Sequence, residues 1–198
     1  MKLQDAIENR KSIRKYKNTT PDWRQIIEAI DTARFAPMAG NIFSLKFILI
    51  SDLHKIAEIA RWSEQDFIAQ TQYVVAFVTD SKRTSNAFEE KGETFCKQQA
   101  GAAIQNFLLK LTEFKLSTCW IGYFNESEIK KILKIPENCK IEAMFPIGYA
   151  NEKPKAKNNR ELDNMLYFDE WKKNRMIPTE KIDARIPEGY GRKITRDF

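Results

Sequence analysis

Residues 72–80 read QYVVAFVTD, and within them YVVAFV at 73–78 is the longest apolar run of the chain. A short run of β-branched and aromatic residues is typical of a buried strand. The run is far shorter than the roughly 20 residues that a membrane-spanning helix needs. We therefore expect a buried strand in a soluble protein, with no membrane partner.

Three other segments have a similar character, which gives a set of four expected strands. They are LKFILIS at 45–51, STCWIGYF at 117–124, which is a strand or the end of one, and KIEAMFPIGYA at 140–150. The polar residues at 81–92 and the sequence APMAGNIFS at 36–44 are expected to form loops.

The segments between the strands carry apolar residues at helical spacing. The expected helices cover 2–9, a segment from an N-cap at Thr20 to about 35, a segment capped by Asp52, 93–115, and a segment from Asn125 that stops before Pro136. Strands and helices are mixed without a regular βαβ repeat. The expected fold class is therefore α+β rather than doubly wound α/β.

The composition is that of a globular protein with a small excess of positive charge. The chain has 198 residues, 42% of them apolar, and a net charge of 33 − 27 = +6. This charge suits an anionic ligand, but it is too small to indicate nucleic acid by itself. A basic nucleic-acid-binding module is an alternative supported only by basic and aromatic residues near the C-terminus, so we expect no nucleic-acid partner.

The cysteines and the histidine argue against several kinds of site. The three cysteines are an odd number without a CxxC pair, which argues against a disulfide framework and a zinc site. The lone histidine, His54, has no second histidine for a metal site and is expected at the surface. We expect no metal ion. The N-terminal residues lack the apolar region of a signal peptide, so we expect a cytoplasmic location.

The character of the chain changes after Pro154. Residues 153–198 carry 12 basic and 8 acidic side chains and no sustained helical pattern, yet they include large apolar residues such as Trp171. They could form a disordered basic tail, or an arm that docks on the domain or on a partner subunit. The aromatic residues favour docking, because they are costly to leave in water. We therefore divide the chain into a domain at 1–154 and an arm at 155–198.

The segment RKSIRKY at 10–16 is crowded with positive charge and follows the first expected helix. One interpretation is a solvated helix end, where cations interact favourably with the helix dipole. The other is an anion site. If the chain is extended after residue 9, then Arg10, Ser12 and Arg14 share one face, because strand side chains alternate. Arginine binds oxyanions with two parallel hydrogen bonds, so this face would suit a phosphate.

Five motifs, taken in order over roughly residues 3–165, resemble the FMN-dependent nitroreductase family. They are Arg10, Ser12 and Arg14; Ala36–Asn41 (APMAGN); Gly101, Ala103, Gln105 and Asn106; Ser117–Gly122 (STCWIG); and Pro146, Gly148 and Tyr149. Two positions depart from the family pattern: Met38 stands where serine is more common, and Gln99 stands near a common acidic position.

The resemblance implies a fold and an assembly. The fold would be a central, mainly antiparallel sheet flanked by helices, with a C-terminal arm that wraps the partner subunit. The protein would be a homodimer whose long helix at 93–115 lies in the interface, with two FMN sites between the subunits.

The resemblance also implies the cofactor-binding residues. Arg10 and Arg160 would hold the FMN phosphate with Ser12 as a hydroxyl donor, and Arg14 would stabilise the negative charge of reduced flavin. Backbone N–H groups of Ile121 and Gly122 would face flavin N5, and Asn41 would bind the ring edge. The remaining members of the set are Lys11, Trp120 and the loop residues Pro37, Met38 and Ala39, which commonly come from the other subunit.

The implied activity is an oxidoreductase with ping-pong kinetics. NAD(P)H would give a hydride to flavin N5, and a small acceptor such as a nitroaromatic or a quinone would then be reduced, with no protein acid or base required. The loops around 63–72 and 81–95 would select that acceptor. The alternative is an FMN-dependent dehydrogenase or a flavin-processing enzyme on the same scaffold that does not use NAD(P)H.

Overall fold

The computed structural model describes residues 1–154 and 161–175 of the chain. Its helices are α1 (Leu3–Asn9), α2 (Trp23–Ala33), α3 (Leu53–Trp62), α4 (Lys82–Phe88), α5 (Gly92–Glu113) and α6 (Glu126–Leu133). Its strands are β1 (Leu45–Ile50), β2 (Tyr73–Asp80), β3 (Ser117–Thr118) and β4 (Cys139–Gly148). The expected α+β fold is confirmed.

The four strands form one antiparallel sheet in the order β1-β2-β4-β3. Strand β2 lies inside the sheet and is buried over most of its length, as its apolar run predicts. Its pairing with β4 contains a bulge, because Phe77 pairs with Ala143 while Val78 pairs with Ile141. The extra residue, Glu142, changes which side chains of β4 face each side of the sheet.

The side chains of β2 alternate between two cores, one on each face of the sheet. Val75 and Phe77 face α2 and α5, whereas Val74 and Ala76 face α3 and α6. Helices cover both faces, so the sheet is the middle of three layers. The first core is rich in aromatic residues: the Phe77 ring lies 5.1 Å from that of Phe107 and 5.3 Å from that of Phe145.

The structure corrects three expectations about the bounds or the burial of helices and strands. Helix α2 begins at Trp23, and its N-cap is Asp22, whose carboxylate accepts the Arg24 N–H, instead of Thr20. The expected strand at 117–124 is reduced to Ser117–Thr118 and a single bridge between Ile121 and Met144. In addition, β1 is only partly buried, because it forms the edge of the sheet among the described strands.

The expected loop at 81–92 is wrong, because it contains helix α4 and a 3-10 turn at Glu89–Lys91. The helix is polar in sequence but is anchored by tertiary contacts. The buried hydroxyl of Thr84 is hydrogen-bonded to that of Ser44 at 2.5 Å, and Phe88 packs edge-on against Phe95 of α5 at 5.1 Å. Such contacts override a weak local propensity.

The chain divides into two units, Met1–Lys155 and Ala156–Phe198. The described part of the second unit has a 3-10 turn at Leu162–Asn164 and an edge-on contact of 4.9 Å between the rings of Tyr167 and Trp171. The C-terminal arm remains a prediction. Within the described residues, none of the helices combines the length and the apolar character needed to traverse a bilayer.

We predict that Phe77→Ala lowers the free energy of unfolding by about 3–5 kcal/mol, because it removes the ring at the centre of the aromatic core. Urea denaturation at one fixed protein concentration measures this change. Leu53→Ala is the control: its side chain is 61% exposed, so its cost should stay below about 0.5 kcal/mol. A similar small loss for both variants would contradict the assignment of the core.

Candidate functional site

The basic segment, residues 10–16, leaves α1 in an extended conformation and runs along the described edge of the sheet. Arg10 is extended, and the Ile13 N–H donates to the Thr118 carbonyl at 3.0 Å. Farther along, the Lys17 N–H donates to the Tyr149 carbonyl at 2.9 Å. The segment therefore connects the ends of β3 and β4, and it is not a solvated continuation of the helix.

Two buried side chains anchor the basic segment. Ile13 and Tyr16 are 3% and 6% exposed, and the Tyr16 hydroxyl donates to the Ile13 carbonyl at 2.7 Å. The Tyr16 ring packs on Gly148, where an added Cβ would lie only 2.8 Å from ring atom Cδ1. A glycine is needed at this close approach. Burial raises the pKa of Tyr16, so its hydroxyl remains a neutral donor.

The alternate side chains of the basic segment face outward. Arg10 is half-buried, whereas Ser12 and Arg14 are exposed. Within residues 1–154 and 161–175, neither arginine makes an ion pair with a carboxylate. Both guanidinium groups are therefore available, in this part of the chain, to an anion from outside.

Cys119 lies beneath this basic face. Burial raises the pKa of its thiol, while Arg14, a hydrogen bond from Ser12 and then Arg10 act in the opposite direction. The positive charges of both arginines therefore act on the same thiol. The raised pKa keeps the thiol protonated at neutral pH, in agreement with a small core residue instead of a nucleophile.

The loop between α2 and β1 is tied to α5 by Gln99. The buried amide of Gln99 accepts the Ser44 N–H at 2.9 Å and donates to the Ile42 carbonyl at 3.3 Å. The sequence left open whether this glutamine faces the cofactor or water. The structure gives it a positioning role in the loop, and no local pattern could have shown that.

The tip of the same loop forms a 3-10 turn at Ala39–Asn41 with left-handed backbone at Gly40 (φ 56°) and Asn41 (φ 57°). Pro37 and Asn41 are exposed, and Met38 and Ala39 are half-buried. Among the described residues, no hydrogen bond joins this turn to the basic segment of the same chain. At Gly40 the turn lies against the Phe88 ring of α4, where an added Cβ would be 2.8 Å from ring atom Cζ.

The WIG segment at 120–122 lies next to the basic face. The Ile121 N–H donates to the Met144 carbonyl at 3.0 Å, so that amide is already committed to the sheet. The exposed Gly122 amide has no hydrogen-bond partner in the described part of the chain. Trp120 is 45% exposed, and its ring meets Phe145 edge-on at 5.5 Å.

An open hollow of about 400 Å³ lies between the end of α3 and the residues that precede α6. Its lining includes Tyr123, the residue that follows Gly122 in the sequence. The Asn125 N–H donates to the Trp62 carbonyl at 2.8 Å and holds its two sides together. The lining residues are Arg61, Trp62, Glu64, Tyr123, Phe124 and Asn125. Only Glu64 belongs to the loops expected to select the acceptor.

Two further expectations concern ligands of the site. Arg160, expected at the phosphate, lies outside the described residues. The described residues contain no cluster of three or more histidine, cysteine, aspartate or glutamate side chains able to hold a metal ion.

Comparison with known proteins identifies the family. The model of the nitroreductase family matches residues 7–73 and 57–149, and the chain belongs to that family. A Streptococcus pyogenes protein provisionally named an NAD(P)H nitroreductase is 26% identical over 200 residues, covering 84% of this chain and 98% of that protein.

Solved structures share the fold. A nitroreductase family protein from Clostridium novyi is 28% identical with a TM-score of 0.69, covering 87% of this chain and 96% of the other. An FMN-dependent nitroreductase from Clostridium difficile is 22% identical with a TM-score of 0.72, covering 85% of this chain and 99% of the other.

We predict that the three cysteines, all buried, resist a thiol reagent such as Ellman's reagent in the native protein. Fewer than one thiol per chain should react within minutes at neutral pH, and all three should react after unfolding in guanidinium chloride. The rate at Cys119 should rise with pH, because its raised pKa leaves little thiolate at neutral pH. A rapidly modified Cys119 would contradict the structural role.

Proposed function

We propose that the protein is an FMN-dependent oxidoreductase that takes reducing equivalents from NAD(P)H and delivers them to a small nitroaromatic or quinone-like acceptor. The observation that carries the proposal is the outward face of Arg10, Ser12 and Arg14 at the sheet edge, with no carboxylate paired to either guanidinium in the described chain. Membership of the nitroreductase family and the similarity to an FMN-dependent nitroreductase support it.

The donors of the basic face fit the charges of FMN. Arg10 and Ser12 would bind the dianionic phosphate, with Lys11 adding positive charge and Arg160 a further candidate ligand. Arg14 would stabilise negative charge at the pyrimidine end of the ring. Bound FMN would supply the two-electron carrier between the nicotinamide and the acceptor. The protein itself contributes position and charge.

The WIG segment would provide the contact to the ring. Because the Ile121 amide is committed to Met144, we assign the N–H donor for flavin N5 to Gly122. Ile121 would then act by holding that amide in place, and Trp120 would pack beside the ring. The turn formed by residues 37–41 would pack against the FMN of a partner subunit, with Asn41 at the ring edge.

A homodimer is part of the proposal. Large apolar side chains are exposed on two helices: Leu3 (68%) and Ile7 (43%) on α1, and Trp23 (44%) and Ile27 (47%) on α2. Each pair is spaced by four residues, so it lies on one helix face. A second copy of the chain would cover these residues together with the outer face of α5. The arm, residues 155–198, would embrace that copy.

The first experiment is an absorbance spectrum of the purified protein from 300 to 550 nm, recorded before and after anaerobic NADH or NADPH. We expect a yellow protein that bleaches with a nicotinamide. A yellow protein that does not bleach would favour the alternative FMN-dependent enzyme without NAD(P)H. A colourless protein that takes up no FMN would contradict the proposal.

We predict that Arg10→Ala weakens FMN binding by at least about tenfold, because it removes a charged donor to the phosphate. Fluorescence titration of the cofactor-free protein measures the dissociation constant. Lys15→Ala is the matched control, because this exposed cation belongs to the same segment but is not among the residues assigned to FMN. Equal losses in both variants would indicate general electrostatic attraction instead of a specific phosphate contact.

We predict that Arg14→Ala lowers the midpoint potential of bound flavin by about 30 mV or more, which is about 1.4 kcal/mol for a two-electron couple. The physical reason is the loss of positive charge near reduced flavin. Spectroelectrochemical titration at saturating FMN measures the potential. An unchanged potential would place Arg14 away from the ring.

A further inference from the structure

Two polar side chains from distant parts of the chain hold the backbone of the basic segment. Glu152 Oε1 accepts the N–H of Arg14 and, at 3.2 Å, that of Lys15. Gln70 Oε1 accepts the N–H of Tyr16 at 3.1 Å. Gln70 ends a 3-10 turn before β2, and Glu152 follows β4. Three consecutive amides are therefore satisfied by side chains and not by strand pairing.

Every backbone N–H group from residue 13 to residue 17 donates a hydrogen bond within the protein. The two outer amides, those of Ile13 and Lys17, donate to main-chain carbonyls of Thr118 and Tyr149. The three inner amides donate to Glu152 and Gln70. No amide from 13 to 17 remains to bind an anion, so at these residues only side chains can contact one. The direction in which those side chains extend depends on the hydrogen bonds that fix the backbone.

A carboxylate beside an anion site is unfavourable unless its charge is used elsewhere. Glu152 is half-buried and directs one oxygen at two amides, and hydrogen bonds to an ionised acceptor are roughly twice as strong as neutral ones. Among the residues of the described ranges, it makes no ion pair with Arg10 or Arg14. Its charge therefore fixes the backbone without neutralising the guanidinium groups by direct contact.

We propose that Glu152 is a positioning residue that holds the Arg14 backbone so that the guanidinium stays on the face shared with Arg10 and Ser12. This inference rests on the proposed FMN site. It assigns a role to an acidic residue that lies 138 positions from its partner Arg14. Glu152 touches no reacting atom and acts through Arg14.

The test compares Glu152→Ala with Glu152→Gln. The alanine variant removes the acceptor, so FMN affinity should fall by at least about tenfold. The glutamine variant keeps an oxygen acceptor in the same place, and its affinity should stay within about threefold of the parent protein. Fluorescence titration gives both constants. An unaffected alanine variant, or a glutamine variant as weak as the alanine variant, would overturn the proposal.

A double-mutant cycle tests whether Glu152 acts through Arg14. The midpoint potential of bound flavin is measured in Arg14→Ala, Glu152→Ala and the double variant at saturating FMN. We expect each single variant to lower the potential and the double variant to match Arg14→Ala alone, because a misplaced guanidinium and a missing one have the same effect. Additive shifts, or no shift in Glu152→Ala, would contradict the role.

Glu142→Ala is the matched control. Glu142 is also half-buried and accepts a hydrogen bond, from the Thr79 hydroxyl at 2.6 Å, but it lies at the β4 bulge. Its loss should lower the thermal midpoint of the cofactor-free protein and leave FMN affinity unchanged. An equal loss of FMN affinity in Glu142→Ala would reduce the Glu152 effect to general destabilisation and overturn the proposal. If the parent protein bound no FMN, the proposed function itself would fail, which is a different result.

Discussion

The pairing of β2 with β4 is the constraint on which the structure depends. Both strands are largely buried, so each needs side chains on two faces and hydrogen-bond partners on two edges. Helices α2 and α5 cover one face, and α3 and α6 cover the other. The bulge at Glu142 sets which residues of β4 meet each helical layer. The end of β4 and the residues that follow it place Gly148 against Tyr16 and Glu152 against the backbone of Arg14.

The candidate site is an edge site, built where the regular sheet ends. Strand β3 has only two residues, and the edge is continued by the extended segment that follows α1. Because that segment is anchored by Ile13 and Tyr16, its charged residues project outward in a fixed pattern. A rigid scaffold with a charged rim is the arrangement expected of a protein that orients a cofactor and leaves the chemistry to it.

The sequence was sufficient where a local pattern decides the structure. The apolar run at 73–78 predicted β2, and the wide apolar stripe of 93–115 predicted α5. The shared face of Arg10, Ser12 and Arg14, expected from alternation, remains a prediction. Sequence patterns failed where contacts between distant residues determine the structure. Helix α4 is an example, because its sequence is polar and its position depends on the buried hydroxyl of Thr84. Gln99 and Glu152 could not be assigned either, because their partners lie 55 and 138 positions away in the chain.

All amides from 13 to 17 donate hydrogen bonds within the protein. The backbone of these residues therefore maintains the fold and is not available to bind a ligand. In some anion sites successive backbone amides bind the ligand, so the shape of the chain itself forms the site. In this protein the amides from 13 to 17 are occupied by Thr118, Glu152, Gln70 and Tyr149, so at these residues contact with the proposed ligand would be left to side chains. At the proposed anion site, substitutions at residues 10, 12 and 14 would therefore alter the preferred anion while the edge of the sheet keeps its shape, and new ligand preferences would evolve at little risk to folding.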